Sequence, residues 1–229
     1  MKVAMHRRRL VSAGGLVVVA AVTAPRSIRA ARADADSKAA VTPPEDLMRE
    51  HGVLNRVLLI YESGLQKFAD NESFDPAIIS ASAQIVRQFI ERYHERNEEL
   101  HLFPRFRAAR QMTDLVTVLY QQHQAGRRLT DMILGLAPHS GEDESRRNLT
   151  HAIRAFIRMY RPHEAREDTE LFPKLREIVS RNEFDAMAED FEKDERRGFG
   201  EDGFAAMVDR VARLEQEIGI HDLARATAI

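Results

Sequence analysis

The chain contains no cysteine. This absence excludes disulfide bonds, thiolate and iron–sulfur metal sites, and cysteine nucleophiles. A bound metal ion must therefore take its ligands from His, Asp, Glu or Tyr, which favours iron, manganese or zinc over copper(I). The 229 residues are enough for one or two domains with a buried core, and 31% charged and 44% hydrophobic residues are typical of a globular protein.

Acidic residues are absent from the first 33 positions, which hold seven basic ones. The rest of the chain carries 27 basic and 36 acidic residues, a net charge of −9. Binding to nucleic acid needs a basic surface. We therefore expect no nucleic-acid partner.

Residues 1–33 have the layout of an export signal. Arg7 and Arg8 form a twin-arginine pair, an apolar stretch of 15 residues follows (LVSAGGLVVVAAVTA), and ARADA offers Ala-x-Ala processing sites. The apolar stretch is long enough for a signal peptide and short for a membrane span. We expect export to the periplasm without membrane attachment after cleavage. An uncleaved N-terminal anchor is the alternative.

No later segment shows the alternating pattern of a β-strand, and apolar residues recur at helical spacing instead. The pattern predicts long helices over about residues 44–70, 75–104, 112–137 and 142–178, with the second ending at the Leu-Phe-Pro of positions 102–104. Two shorter amphipathic helices, 181–196 and 203–219, are expected to dock on this bundle or on a second copy of the chain in a homo-oligomer. The predicted organisation is an export signal (1–33), a linker (34–43), a four-helix bundle (44–178) and a C-terminal helical extension (179–229).

Two parts of the bundle repeat one another. The segments YHERNEELHLFP and PHEAREDTELFP each contain His-x-x-x-Glu followed by Leu-Phe-Pro. A lone histidine precedes each segment, so His51 and His94 recur as His123 and His163 at offsets of 72 and 69 residues. A duplicated helical hairpin predicts an all-α, up-and-down four-helix bundle in which equivalent side chains meet near the axis.

The repeated polar residues lie on helix faces that are otherwise apolar. Residues four apart share one helix face, so each histidine of a His-x-x-x-Glu pair points with its glutamate. Burying these groups unpaired costs on the order of several kcal/mol for each ion. A shared centre of two metal ions with bridging carboxylates removes that cost and leaves positions open for a small ligand. The predicted metal ligands are His51, His94, Glu98, His123, His163 and Glu167.

This set resembles the hemerythrin-like (HHE cation-binding) family over about residues 44–178. The resemblance implies a non-haem centre of two iron ions with an oxo or hydroxo bridge inside a four-helix bundle. The same six side chains are then the ligands, with Glu98 and Glu167 bridging.

The chain departs from the oxygen-carrying hemerythrins in two places. Those proteins have His-x3-His on the third helix, whereas here Leu119 and Arg127 flank His123, and His163-x3-Glu167 replaces their His-x4-Asp. With fewer nitrogen ligands, we expect binding of dioxygen, peroxide or nitric oxide at an open iron position. The alternatives are a di-iron oxidoreductase that consumes peroxide or nitric oxide, and a sensor or interaction module with the C-terminal helices as output.

Three further residues are candidates for contact with the centre, and none is assigned as catalytic. Tyr120 and Tyr160 each lie three residues before a predicted ligand. Each either places its phenol group near the metals or is an ordinary tyrosine of the core. Gly126, one turn after His123, either leaves room beside the metals or lets two helices approach. His101 has Glu170 as its repeat equivalent and is therefore expected to lie outside the ligand set.

Overall fold

The structure, a computed structural model, describes residues 41–224. Six helices and no strand occur in this part of the chain. The predicted export signal lies outside the described residues. The helices are α1 (Pro43–Ala69), α2 (77–109), α3 (Thr113–Leu136), α4 (143–178), α5 (Arg181–Phe199) and α6 (Gly203–Ile218).

The first four helices form the predicted all-α bundle. Each packs against the next in the chain, and α4 closes the ring by packing against α1. Thr42 and Glu45 form a capping box at the start of α1, where Pro43 fits because the first turn needs no N–H donor there. Short connections at 70–76, 110–112 and 137–142 separate the four helices and make neighbours antiparallel.

Helix α2 does not end at Leu-Phe-Pro as predicted but continues to Ala109. A wide π-helical turn precedes the proline, shown by the bond from the N–H of Phe103 to the carbonyl of Glu98, five residues back. Such a turn contains an extra residue, so the helix has a carbonyl to spare where Pro104 donates nothing. The repeat does the same in α4, where Phe172 N–H bonds to the Glu167 carbonyl before Pro173.

A polar layer divides the core of the bundle into two apolar clusters. One cluster includes Leu54, Ile90 and Phe156, and the other includes Leu47, Leu119 and Phe172. Each predicted metal ligand lies between members of the two clusters along its own helix. The apolar residues above and below therefore fix the height of the layer in the bundle.

The two C-terminal helices pack on the bundle, one of the two dockings expected from their apolar residues. Phe184, Met187 and Phe191 of α5 join the cluster around Phe172, while Met207 and Val211 of α6 join the other. Arg56 of α1 also donates through Nε and Nη2 to the carboxylate of Glu215 on α6, at 2.8 and 2.5 Å.

Candidate metal centre

The structure brings all six predicted ligands into one buried layer, although their role as ligands stays a prediction. None of the six side chains is more than 3% exposed. Glu98 Oε2 lies 3.7 Å from Nε2 of His94 and 3.4 Å from Nε2 of His123. The equivalent distances from Glu167 Oε2 are 3.4 Å to Nε2 of His51 and 3.1 Å to Nε2 of His163. Each carboxylate thus lies between histidines of two helices.

The ligand atoms fall into two overlapping groups. His51, His94, Glu98 and Glu167 offer one atom each within 4.8 Å of one another, as do His123, His163 and Glu167. The rings of His51 and His94 are 4.6 Å apart, and those of His123 and His163 are 5.0 Å apart. Two histidines therefore lie on each side of the layer with carboxylates between them, and each group could hold a metal ion.

Buried polar atoms without partners show that the layer fits cations. Nε2 of His51 and of His123 has no hydrogen-bond partner within residues 41–224, and neither has any of the four carboxylate oxygens of Glu98 and Glu167. A buried unsatisfied polar group costs about 1–3 kcal/mol, and a charged one more. Imidazole and carboxylate ligands suit iron, manganese and zinc. Cations between these atoms would satisfy all of them.

A second set of side chains orients the histidines through Nδ1. His51 donates to Asp168 at 2.8 Å, and His94 donates to Glu50 at 2.7 Å. His123 Nδ1 lies 3.0 Å from Glu99 Oε1, and His163 Nδ1 lies 3.0 Å from Gln122 Oε1. An Nδ1–H donor leaves Nε2 with its lone pair directed into the layer, which is the form that binds a metal ion.

These four bonds form a closed ring around the bundle. Each acceptor on α1, α2 and α3 pairs with the histidine on the next helix along the chain. The acceptor on α4 pairs with the histidine on α1, which closes the ring. None of the four acceptors is among the residues predicted from the sequence. The signal for them was the repeat, because Glu50 and Gln122 directly precede lone histidines, whereas Glu99 and Asp168 directly follow the predicted bridging glutamates.

The phenylalanines of the two Leu-Phe-Pro motifs form walls of the layer. Phe103 stacks on His123 with ring centroids 5.4 Å apart, and Phe172 stacks on His51 at 5.5 Å. Both ring pairs are within 21° of parallel. The motif therefore positions two histidines rather than ending a helix.

The two bridging candidates have opposite electrostatic environments. Burial and the nearby Glu167 carboxylate raise the pKa of Glu98 to about 8. Burial also acts on Glu167, but the neighbouring His163 and His51 outweigh it and hold the pKa of this carboxyl well below its usual range. Two carboxylates in one dry layer repel each other, and a cation between them stabilises the charged form of both.

Tyr160 lies beside the layer, and Gly126 makes room for it. The Tyr160 ring centroid is 5.6 Å from that of His163, and its hydroxyl donates to Glu95 Oε1 at 2.7 Å. A Cβ atom at position 126 would lie 2.0 Å from the Tyr160 oxygen. The space beside Gly126 is therefore taken by a side chain of α4 and does not open onto the metal positions. Arg127 Nη2 lies 2.8 Å from both Glu95 and Glu99, so it neutralises the carboxylates around Tyr160.

The prediction that Tyr120 lies near the metals or in the core is wrong. Its side chain is 41% exposed, and the guanidinium of Arg107 lies 5.8 Å from its ring centroid. Leu119 and His123 define the buried face of α3, and the next residue after Leu119 points outward. Tyr120 therefore cannot contact the layer. His101 lies outside the six-residue layer as expected, with its ring 5.6 Å from that of Phe191.

Comparison with known proteins gives the family of the chain. The Hemerythrin HHE cation binding domain profile matches residues 42–175 and also 114–226. The chain therefore belongs to the hemerythrin HHE cation-binding family. It is 46% identical over 234 aligned residues to the uncharacterized proteins Mb2018 of Mycobacterium bovis and Rv1995 of Mycobacterium tuberculosis, covering 98% of this chain and 91% of each relative. No solved structure matches the chain significantly.

Within the described residues 41–224, none of the helices combines the length and apolar character needed to cross a membrane.

Proposed function

We propose that this protein holds two iron ions in the polar layer and binds dioxygen, peroxide or nitric oxide at an open iron position. The observation that carries the proposal is the set of buried atoms, Nε2 of His51 and His123 and the carboxylate oxygens of Glu98 and Glu167, that have no hydrogen-bond partner within residues 41–224. Two iron ions, when bound by these residues, would supply reversible binding or redox chemistry toward these small molecules. The protein supplies oriented imidazoles, two bridging carboxylates and a dry surrounding.

The burial of the layer supports a small ligand. All six ligand side chains are almost fully buried, and Phe103 and Phe172 cover two of the histidines. A larger organic substrate would have to displace the side chains that bury this layer, whereas a diatomic molecule or peroxide needs far less space. The missing histidine on α3 supports an open coordination position.

A second candidate function is turnover of peroxide or nitric oxide, and the cluster of Tyr160, Glu95 and Arg127 favours it. The Tyr160 hydroxyl is buried beside His163 and bonded to Glu95, which in turn lies against the partly exposed Arg127. This chain of polar groups runs from the surface to the edge of the layer. Glu95 and the Tyr160 hydroxyl can exchange a proton, which consumption of peroxide requires and simple ligand binding does not, while Arg127 stays charged and holds the Glu95 carboxylate.

The decisive experiment is metal analysis of the purified protein with an optical spectrum, followed by exposure to each small molecule. Two irons per chain with oxo-bridge absorption are expected. Zinc or manganese in place of iron would contradict the proposal. A reversible adduct without product favours binding, while product formation that falls in Tyr160→Phe with unchanged iron content favours turnover.

We also propose that the chain is exported to the periplasm through its twin-arginine-like N-terminus. The basic start, the apolar stretch and the Ala-x-Ala sites support this. Fractionation of cells with the wild-type protein and an Arg7→Lys/Arg8→Lys variant tests it. The wild type is expected in the periplasm and the variant in the cytoplasm, and equal distribution of the two would contradict the proposal.

A further inference from the structure

A cleft separate from the metal layer lies between α2 and the end of α5. Its volume is about 420 Å³. Clefts of about 300–1,000 Å³ hold small organic ligands. Its lining includes Arg92, Arg96 and Asn97 of α2 and Phe199 of α5.

The cleft has an excess of positive charge. Arg92 and Arg96 lie one turn apart on the same face of α2, and neither has an ion-pair or hydrogen-bond partner in the described part of the chain. Arg197 is neutralised by Asp194 at 2.7 Å. The chain outside residues 1–33 has a net charge of −9, so this local excess contrasts with the rest of the protein. Two adjacent guanidinium groups form the planar donor arrangement that carboxylates and phosphates bind.

Asn97 provides an independent sign of a ligand. Its side chain is only 1% exposed and lines the cleft, yet its amide nitrogen has no hydrogen-bond partner among residues 41–224. Leaving a buried amide donor unpaired costs about 1–3 kcal/mol. An acceptor atom of a bound ligand would remove this cost. Asn97 directly follows Arg96, which lies one turn after Arg92, so the donor and the two arginines belong to one short stretch of α2.

The cleft also has an apolar wall. Tyr93 and Phe199 pack edge to face with ring centroids 5.4 Å apart. Aromatic surfaces of this kind bind the apolar part of a ligand, while the polar groups fix its orientation.

We propose that the cleft binds a small organic anion whose carboxylate or phosphate contacts Arg92, Arg96 and Asn97 and whose apolar body packs on Tyr93 and Phe199. This site is additional to the metal-dependent function. It lies on the outer side of the same stretch of α2, since Tyr93 and Asn97 directly precede His94 and Glu98 in the chain.

Calorimetric titration of the full-length protein with benzoate, phenyl phosphate, inorganic phosphate and neutral benzamide tests the proposal. We expect saturable binding of benzoate, phenyl phosphate or both, at least about tenfold tighter than benzamide. A preference between the two anions identifies the head group. Equal affinity for benzoate, phenyl phosphate and benzamide would overturn the proposal. Equal affinity for inorganic phosphate and phenyl phosphate would overturn the role of the aromatic wall.

An arginine-to-glutamine pair locates the site. Arg92→Gln/Arg96→Gln is expected to weaken anion binding at least about tenfold. Arg128→Gln/Arg158→Gln, which removes the same charge from two exposed arginines outside the cleft, is the matched control and should bind like the wild type. Circular dichroism checks that both variants are folded. Retained binding in the first variant, or equal loss in both, would overturn the assignment.

Discussion

The hydroxyl of Tyr160 on α4 occupies the position that a side chain at Gly126 on α3 would need. The oxygen lies 2.0 Å from where a Cβ atom would be, and the ring carbon Cζ lies 2.7 Å from it. The same hydroxyl is hydrogen-bonded to Glu95. Because Gly126 on α3 has no side chain, the Tyr160 hydroxyl of α4 can occupy this position beside the candidate metal centre.

Replacing Gly126 by alanine should destabilise the fold. The added methyl group displaces Tyr160, and such overpacking typically costs about 1–3 kcal/mol, despite the higher helix propensity of alanine. Urea unfolding of the metal-free protein measures the change. Gly135→Ala is the matched control, since it lies on the same helix and has no atom within 4 Å of the added Cβ. This control should stabilise by up to about 1 kcal/mol. A neutral or stabilising Gly126→Ala would contradict the close contact.

Removal of a predicted ligand should remove metal. Glu98→Ala and His163→Ala each eliminate an inward-facing ligand from the layer, so we expect each variant to retain fewer metal ions per chain than the wild type. Elemental analysis of the purified variants measures this. His101→Ala, a histidine on the same helix as Glu98 but outside the layer, should keep the wild-type content. Unchanged metal content in both ligand variants would refute the assignment.

Loss of an orienting acceptor should weaken metal binding without abolishing it. Asp168→Ala removes the partner of His51 Nδ1, and losses of this kind typically cost about 10–100-fold in metal affinity. Competition with a chelator measures the affinity. Glu170→Ala is a suitable control because its carboxylate is 43% exposed and pairs with Arg166. Equal affinities of the two variants would show that the Asp168 bond does not support the centre.

Asp46 should make stability fall with rising pH. Burial, together with the nearby Glu195 carboxylate, raises its pKa from 3.8 to about 6. The folded protein therefore binds this proton more tightly than the unfolded chain. The resulting stabilisation is full below about pH 4 and is lost as pH rises through about 6.

Asp46→Asn removes this titration. The free energy of unfolding of the variant, relative to wild type, should increase by on the order of 2 kcal/mol between pH 4 and pH 7. Urea titrations at both pH values, with the metal content held equal, measure the difference. Glu189→Gln, at a side chain that is 71% exposed, controls for removal of one negative charge. A difference that is constant with pH would contradict the raised pKa.

The sequence predicted the bundle and the six clustered residues because both depend on spacing within single helices. His94 and Glu98 must share a face wherever their helix packs. Spacing within one helix does not determine whether Tyr120 and Tyr160 are buried. A residue three positions before a buried histidine lies about 60° around the helix, at the edge of the buried face, and the neighbouring helices decide whether it is covered.

The wide turns before Pro104 and Pro173 could not be predicted from the sequence either. Proline normally marks the end of a helix, and the residues themselves do not reveal an extra residue in the preceding turn. The orienting acceptors were missed for a different reason. Each acts on a histidine of another helix, so only the three-dimensional arrangement shows which histidine it serves, although the repeat already placed the acceptors at equivalent positions.

The ring of Nδ1 bonds makes the two helical hairpins of the bundle interdependent. Two of the bonds, Glu50 to His94 and Gln122 to His163, join helices of the same hairpin. The other two, Glu99 to His123 and Asp168 to His51, join different hairpins. One hairpin alone thus carries half of the ligands and cannot close the ring, but two copies of it can. Each hairpin therefore depends on the other for the bonds that orient two of the four histidines.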